Sequence, residues 1–147
     1  MSDRALRLAV AAVAVAGLGV AAYLTWVHYH PAALVCTRGG GCEAVQESRY
    51  AVLLGVPIAA YGVAAWALVL GLVAWDTPMA RALVAAVAVA SLVIAGYLVV
   101  LQLAVIDAVC AWCLANDVVL VPALAVLSVL RLRVADAEAS LAPTDSR

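Results

Sequence analysis

The chain contains no lysine and no phenylalanine and only two histidines. Charged residues make up 12% of it, about half the share usual in soluble proteins. Its only basic residues besides histidine are eight arginines, which against nine aspartates and glutamates leave a net charge of −1. That leaves no basic stripe of the kind that holds nucleic acid, and nucleic-acid binding is excluded. No histidine follows Cys113, so a c-type haem attachment site is absent. No carboxylate or histidine stands at a spacing that would complete a zinc site with the cysteines, and no metal is expected. There is also no long polar stretch for a second, soluble domain. What remains is 69% hydrophobic over 147 residues. A membrane-spanning helix needs about 20 mostly apolar residues, and four such runs fill nearly the whole length.

In chain order, a short charged leader, Met1 to Arg7, precedes an apolar run from Leu8 to about Val27. This run exceeds the roughly 7–15 residues of a signal-peptide core, and Tyr23, Trp26 and Tyr29 follow as an interfacial belt, so it is expected to stay as an anchor. Gly17 and Gly19 suit close approach of a second helix. His28 to Ala51 is polar and glycine-rich, with Gly39, Gly40 and Gly41 giving a flexible link between Cys36 and Cys42. Glu43 to Tyr50 predicts a short amphipathic surface helix. Further apolar runs extend from Val52 to Trp75, from Met79 or Arg81 to Ile106, and from Val109 to Val129. Pro57 lies near the start of the second run, and Pro122 predicts a kink in the fourth. The tail from residue 135 to 147 is polar and acidic and reads as a disordered cytoplasmic extension of a 1–134 domain. The expected fold is all-α, an integral membrane four-helix bundle with a short extracytoplasmic surface helix in its first loop.

Arg4, Arg7, Arg81, Arg131 and Arg133 fall on one side of this arrangement, and Arg38 and Arg49 on the other. The positive-inside rule then puts both termini in the cytoplasm. Cys36, Cys42, Cys110 and Cys113 share the opposite, external face, in a compartment where disulfides persist. Four cysteines allow three connectivities. Cys110-Ala-Trp112-Cys113 sets two thiols one turn apart at a helix start, where unpaired N–H groups and the helix dipole favour thiolate. Asp107 is placed to cap that helix, although its charge opposes the thiolate. Structural staples and a zinc site are the alternatives to redox chemistry. A membrane bundle needs no staples as a small secreted domain does, so redox chemistry is the preferred reading.

The order Cys36-x5-Cys42, then Ser48-Arg49-Tyr50-Ala51 leading to Gly55-Val56-Pro57, then Cys110-x-x-Cys113, resembles the vitamin K epoxide reductase (VKOR) family over about Leu8 to Leu130. It looks like a stand-alone member, without the fused thioredoxin-like domain of many bacterial relatives. The resemblance implies a thiol:quinone oxidoreductase in the plasma membrane that supports disulfide-bond formation. In it, Cys113 would lie nearest the quinone with Cys110 as its disulfide partner. Cys42 would attack Cys110, and an exposed Cys36 would exchange with a separate DsbA-like or thioredoxin-fold protein. Ser48, on the surface helix, would lie beside the pocket for a ubiquinone- or menaquinone-type acceptor.

Vertebrate members carry a tyrosine where this sequence has Asp117, and an asparagine in helix two with no clear equivalent here. Quinone reduction is therefore expected ahead of vitamin K epoxide reduction. Asp117, one turn beyond Cys113, is a candidate to deliver protons to the quinone. Tyr61, Trp66 and Tyr97 are candidates to face it, with packing as the plainer role. His28, His30 and Trp112 read as interfacial residues. A DsbB-like reductase is a rival, but that family has its Cys-x-x-Cys in the first loop. The rival of another class is a non-catalytic bundle whose cysteines only brace the loops.

Overall fold

The computed structural model describes residues 2–36 and 41–141. Thr37 to Gly40, which include most of the glycine link and Arg38, and the tail beyond Leu141 lie outside the described residues.

Helix α1 (Asp3–Tyr29) opens with the Ser2 hydroxyl accepting the Ala5 N–H at 3.3 Å. It buries Leu6, Val10, Ala14, Gly17, Ala21, Leu24 and Val27 along one face. That three-to-four-residue spacing is what a single helix stripe requires. Helix α2 (Gly41–Glu47) follows in the first loop, and a hairpin of β1 (Val52–Leu53) and β2 (Val56–Pro57) leads into α3 (Ile58–Trp75). Thr77 caps α4 (Pro78–Val100), its hydroxyl accepting the Ala80 N–H at 3.1 Å. The helix then continues as π-helical turns over Leu101–Ile106. A short α5 (Ala111–Leu114), π-helical turns over Ala115–Leu120 and α6 (Val121–Leu141) complete the chain.

Four helical stretches are long and apolar enough to cross a membrane: Asp3–Tyr29, Ile58–Trp75, Pro78–Ile106 and Ala111–Ala137. They pack in a ring in which α1 touches α3 and α6, and α4 touches α3 and α6. Ala14, Trp66, Val69, Ala88 and Leu124 lie in the shared core. Gly17 permits the closest approach, because a Cβ there would overlap the Trp66 indole, whereas nothing lies within 4 Å of a Cβ at Gly19. Val93, Trp75 and Tyr97 point outward, as lipid-facing side chains of a membrane bundle do. The all-α membrane bundle expected from the sequence is what forms.

Several boundaries differ from those expected. The second span starts at Ile58 rather than Val52, because Leu54 and Gly55 both take positive φ (53° and 81°) and turn residues 52–57 into the hairpin. The surface helix ends at Glu47, which leaves Ser48 just beyond it. Pro122 disturbs its helix through the π-helical turn before it: the ring would crowd the carbonyl four residues back, and the wider turn accommodates it. The segment from 135 to Leu141 is helical rather than disordered. It is built of alanine, leucine and glutamate, good helix formers, beside aspartate and serine, and it extends a helix already nucleated.

The end of the bundle away from the cysteines is closed by charges. Arg131, 4% exposed, holds Asp3 at 2.9 Å and also pairs with Asp76. Arg81 reaches Asp76 at 3.0 Å and Arg7 reaches it at 3.1 Å. Arg7 also donates to the carbonyls of Val73 and Ala74 at the end of α3, where cations suit the helix dipole. Burial alone would raise the Asp76 carboxyl, but the hydrogen bonds from Arg81 and Arg131 hold it below the ordinary carboxylate range.

Candidate redox site

The turn carrying the second cysteine pair is organised by Gln102. As α4 ends, Asp107 takes a left-handed conformation (φ 52°, ψ 40°) and its N–H returns to the Gln102 carbonyl, as does that of Ala108 at 3.1 Å. The Gln102 side-chain oxygen accepts the Cys110 N–H at 3.0 Å. Three backbone donors thus end on one residue. Asp107 is therefore not the cap of the cysteine helix, since its backbone is spent reversing the chain. Cys110 is the cap itself, its Sγ accepting the Cys113 N–H at 3.3 Å. Cys110 and Cys113 form a disulfide with Cα atoms 5.2 Å apart.

The first loop lies directly on this turn. Cys36 and Cys42 form the other disulfide, with Cα atoms 6.1 Å apart. Trp112 donates from its indole N–H to the Val35 carbonyl at 2.9 Å, and the Val35 N–H donates to the Tyr23 hydroxyl at 2.8 Å. The two rings pack at 5.2 Å. Trp112 thus clamps the residue before Cys36 as well as being an exposed aromatic. At the other end of the loop, a Cβ on Gly41 would collide with the Val109 backbone. Cys42 and Cys110 are both fully buried in one apolar cluster with Leu24 and Val27, and Cys36 and Cys113 pack against it. Cys36 is half-buried rather than exposed, because the clamp folds its segment onto the bundle.

A cavity of ≈ 220 Å³ opens beneath, with mainly apolar walls, and Cys113 lies on its lining. A buried space of about 150 Å³ suffices for benzene, so this one admits a substituted ring. Ser48, Tyr61 and Asp117 line it, and so do Trp66, Gln102 and Asn116. The Ser48 hydroxyl donates to the Val45 carbonyl at 2.8 Å, and the Tyr61 hydroxyl to the Leu53 carbonyl at 3.1 Å, which pins the hairpin to α3. Trp66 donates to Asn116 Oδ1 at 3.1 Å, and Asn116 donates to Asp117 Oδ1 at 2.9 Å. Asp117 is 8% exposed. Tyr97 is not on the lining and faces away from the bundle. Of the two histidines, His30 binds the Trp26 carbonyl with its ring.

Sequence reasoning missed Gln102 and Asn116. Gln102 did carry a signal: with Ser91 and Tyr97 it is one of three polar side chains between Ala82 and Ile106. A lone amide in so apolar a run must find a partner inside the protein.

The cysteine turn, the clamped loop and the cavity occupy a continuous length of bundle. The family model described as Vitamin K epoxide reductase family matches residues 8–128, a stretch that runs from the first turns of α1 into α6 and takes in all four cysteines. The match covers most of the chain and part or all of each of the four spans, and the chain belongs to the vitamin K epoxide reductase family, a membrane oxidoreductase by that membership.

Proposed function

We propose that the protein oxidises a secreted thioredoxin-fold dithiol, of DsbA type, and passes two electrons to a membrane quinone, thereby supporting disulfide-bond formation. The observation that carries this reading is that Cys113 lines the cavity while Cys110, its bonded partner, is packed in one cluster with Cys42. One pair is thus next to a site for a ring and also next to the other pair. The cavity's apolar walls and its few polar groups suit a quinone head, ubiquinone or menaquinone in type.

A thiolate of the partner attacks Cys36 and frees Cys42. Cys42 attacks Cys110 and releases the Cys113 thiolate. The partner's second thiol displaces Cys36 and completes the partner's disulfide. Cys36 then rejoins Cys42 and releases Cys110. Cys110 and Cys113, now both reduced, re-form their bond as the quinone takes two electrons and two protons and becomes quinol. Ser48 and Tyr61 shape the cavity in this scheme. Asp117, held by Asn116, is the acid on its wall and supplies a proton. The charged end of the bundle, with Arg7, Arg81 and Arg131, supports placing both termini in the cytoplasm of a cell bounded by this plasma membrane.

Purified protein given a reduced thioredoxin-fold donor and a short-chain quinone under anaerobic conditions is expected to form one donor disulfide per quinol. Cys113→Ala should abolish quinol formation, and Asp117→Asn should slow it without weakening quinone binding. A wild-type protein that leaves both donor and quinone unchanged would show that the cysteines only brace the loops.

A further inference from the structure

Gln102 has work on one side of its amide and none on the other. The side chain is 3% exposed, in a wall of apolar residues. Its oxygen takes the Cys110 N–H, and only an oxygen can meet that donor, so the orientation of the amide is fixed. The nitrogen then points the other way. Among the described residues it has no hydrogen-bond partner, yet it is not sealed in: the only fully enclosed unpaired side-chain polar atom among them is Ser128 Oγ. Gln102 is also one of the residues that line the cavity, the space within reach of an amide nitrogen that no described residue engages. A nearly buried amide nitrogen calls for an acceptor, and what enters that cavity is what can provide it.

We propose that Gln102 is a quinone-binding residue that ties the quinone to the cysteine turn: its amide nitrogen donates to a quinone carbonyl oxygen while its oxygen holds the Cys110 N–H. The proposal rests on the thiol:quinone reading and deepens it. A quinone needs donors where negative charge gathers on its oxygens as electrons arrive, and a donor fixed beforehand costs no reorganisation at that moment. Because both contacts belong to one planar amide, the carbonyl and the Cys110 backbone are held in a set relation.

Two variants separate the two contacts. Gln102→Glu, assayed at alkaline pH so that its buried carboxyl is ionised, keeps an oxygen for the Cys110 N–H and donates nothing. Gln102→Met keeps the length and removes both contacts. Equilibrium dialysis with a short-chain benzoquinone is expected to show dissociation constants raised about five- to tenfold in both variants, the loss of one hydrogen bond, with KM following. An alkylbenzene with the same tail and no carbonyl should bind wild type and variants alike. Without quinone, dithiothreitol should open the Cys110–Cys113 bond at the wild-type rate in Gln102→Glu and at an altered rate in Gln102→Met. Unchanged quinone affinity in both variants, or equal loss for the carbonyl-free analogue, overturns the proposal. Wild type that binds the quinone but does not reduce it overturns the proposed function alone, since the dialysis comparison still reads Gln102. Wild type that binds no quinone overturns both.

Discussion

At one end of the bundle, Asp3, Arg7, Asp76, Arg81 and Arg131 join α1, the end of α3, α4 and α6 through ion pairs. At the other end the connections between the same helices carry two local disulfides, two stretches of π-helical turns and a left-handed Asp107, beside a cavity. The first set of contacts does not depend on redox state, whereas in the proposed relay the disulfides of the second are broken and re-formed. Helices fastened firmly at one end would keep their alignment while sulfur bonds exchange at the other in that relay. The difference between the ends is thus a division of labour along each helix.

The largest expected effect comes from undoing the charged end. Asp76→Ala removes the carboxylate shared by three arginines and leaves Arg131 buried with Asp3 alone, a loss of about 3 kcal/mol. Thermal unfolding in detergent should show it, with quinone affinity of the folded fraction unchanged. Acid should repeat the substitution. The Asp76 carboxyl is held below its ordinary value in the folded protein, so its contribution is complete above the unfolded carboxyl's pKa and fades as pH falls through the folded one. Melting temperature should therefore be insensitive to this group near neutral pH and drop in strong acid, and the drop should shrink in Asp76→Ala.

Gly41→Ala strikes the other end. Its Cβ meets the Val109 backbone, which cannot swing aside as a side chain would, so Cys42 is pushed off Cys110. A displacement of about 1 Å can cost on the order of a hundredfold in rate. Stopped-flow exchange between the two cysteine pairs should slow by that much while the melting temperature changes little. The smallest effect is expected of Trp112→Phe, which keeps the ring on Tyr23 and deletes the hydrogen bond to Val35. Losing about 1 kcal/mol of restraint on the segment before Cys36 should quicken its attack by a small dithiol about fivefold. If all three variants shift stability and exchange together, the two ends are not separate.

The four spans were legible because a run of apolar residues long enough to cross a bilayer is hard to mistake, and the order of the spans with the arginine pattern put the four cysteines on one face. Shorter features were less so. Val52 to Pro57 is apolar and continuous with α3, and only Gly55 hints at the hairpin, whose other turn residue is a leucine in a conformation that leucine rarely takes. Asp107 looked like a cap because aspartate before a helix usually is one, but the left-handed turn consumed it. Asp3 read as part of a charged leader, and the arginines as a topology signal. That these charges meet is a property of the ring of helices and of no single segment. Burial of Cys36 depends likewise on Tyr23 and Trp112, which are 89 residues apart in the chain.

A π-helical turn takes in one residue more than an α-turn. With such turns before and after Cys110–Cys113, the compass bearing of the sulfurs around the bundle is set by surplus chain. Removing one residue from either place would swing that motif through about 100° relative to the helix beyond it. Chain length at those two positions belongs to the chemistry as fully as the side chains do.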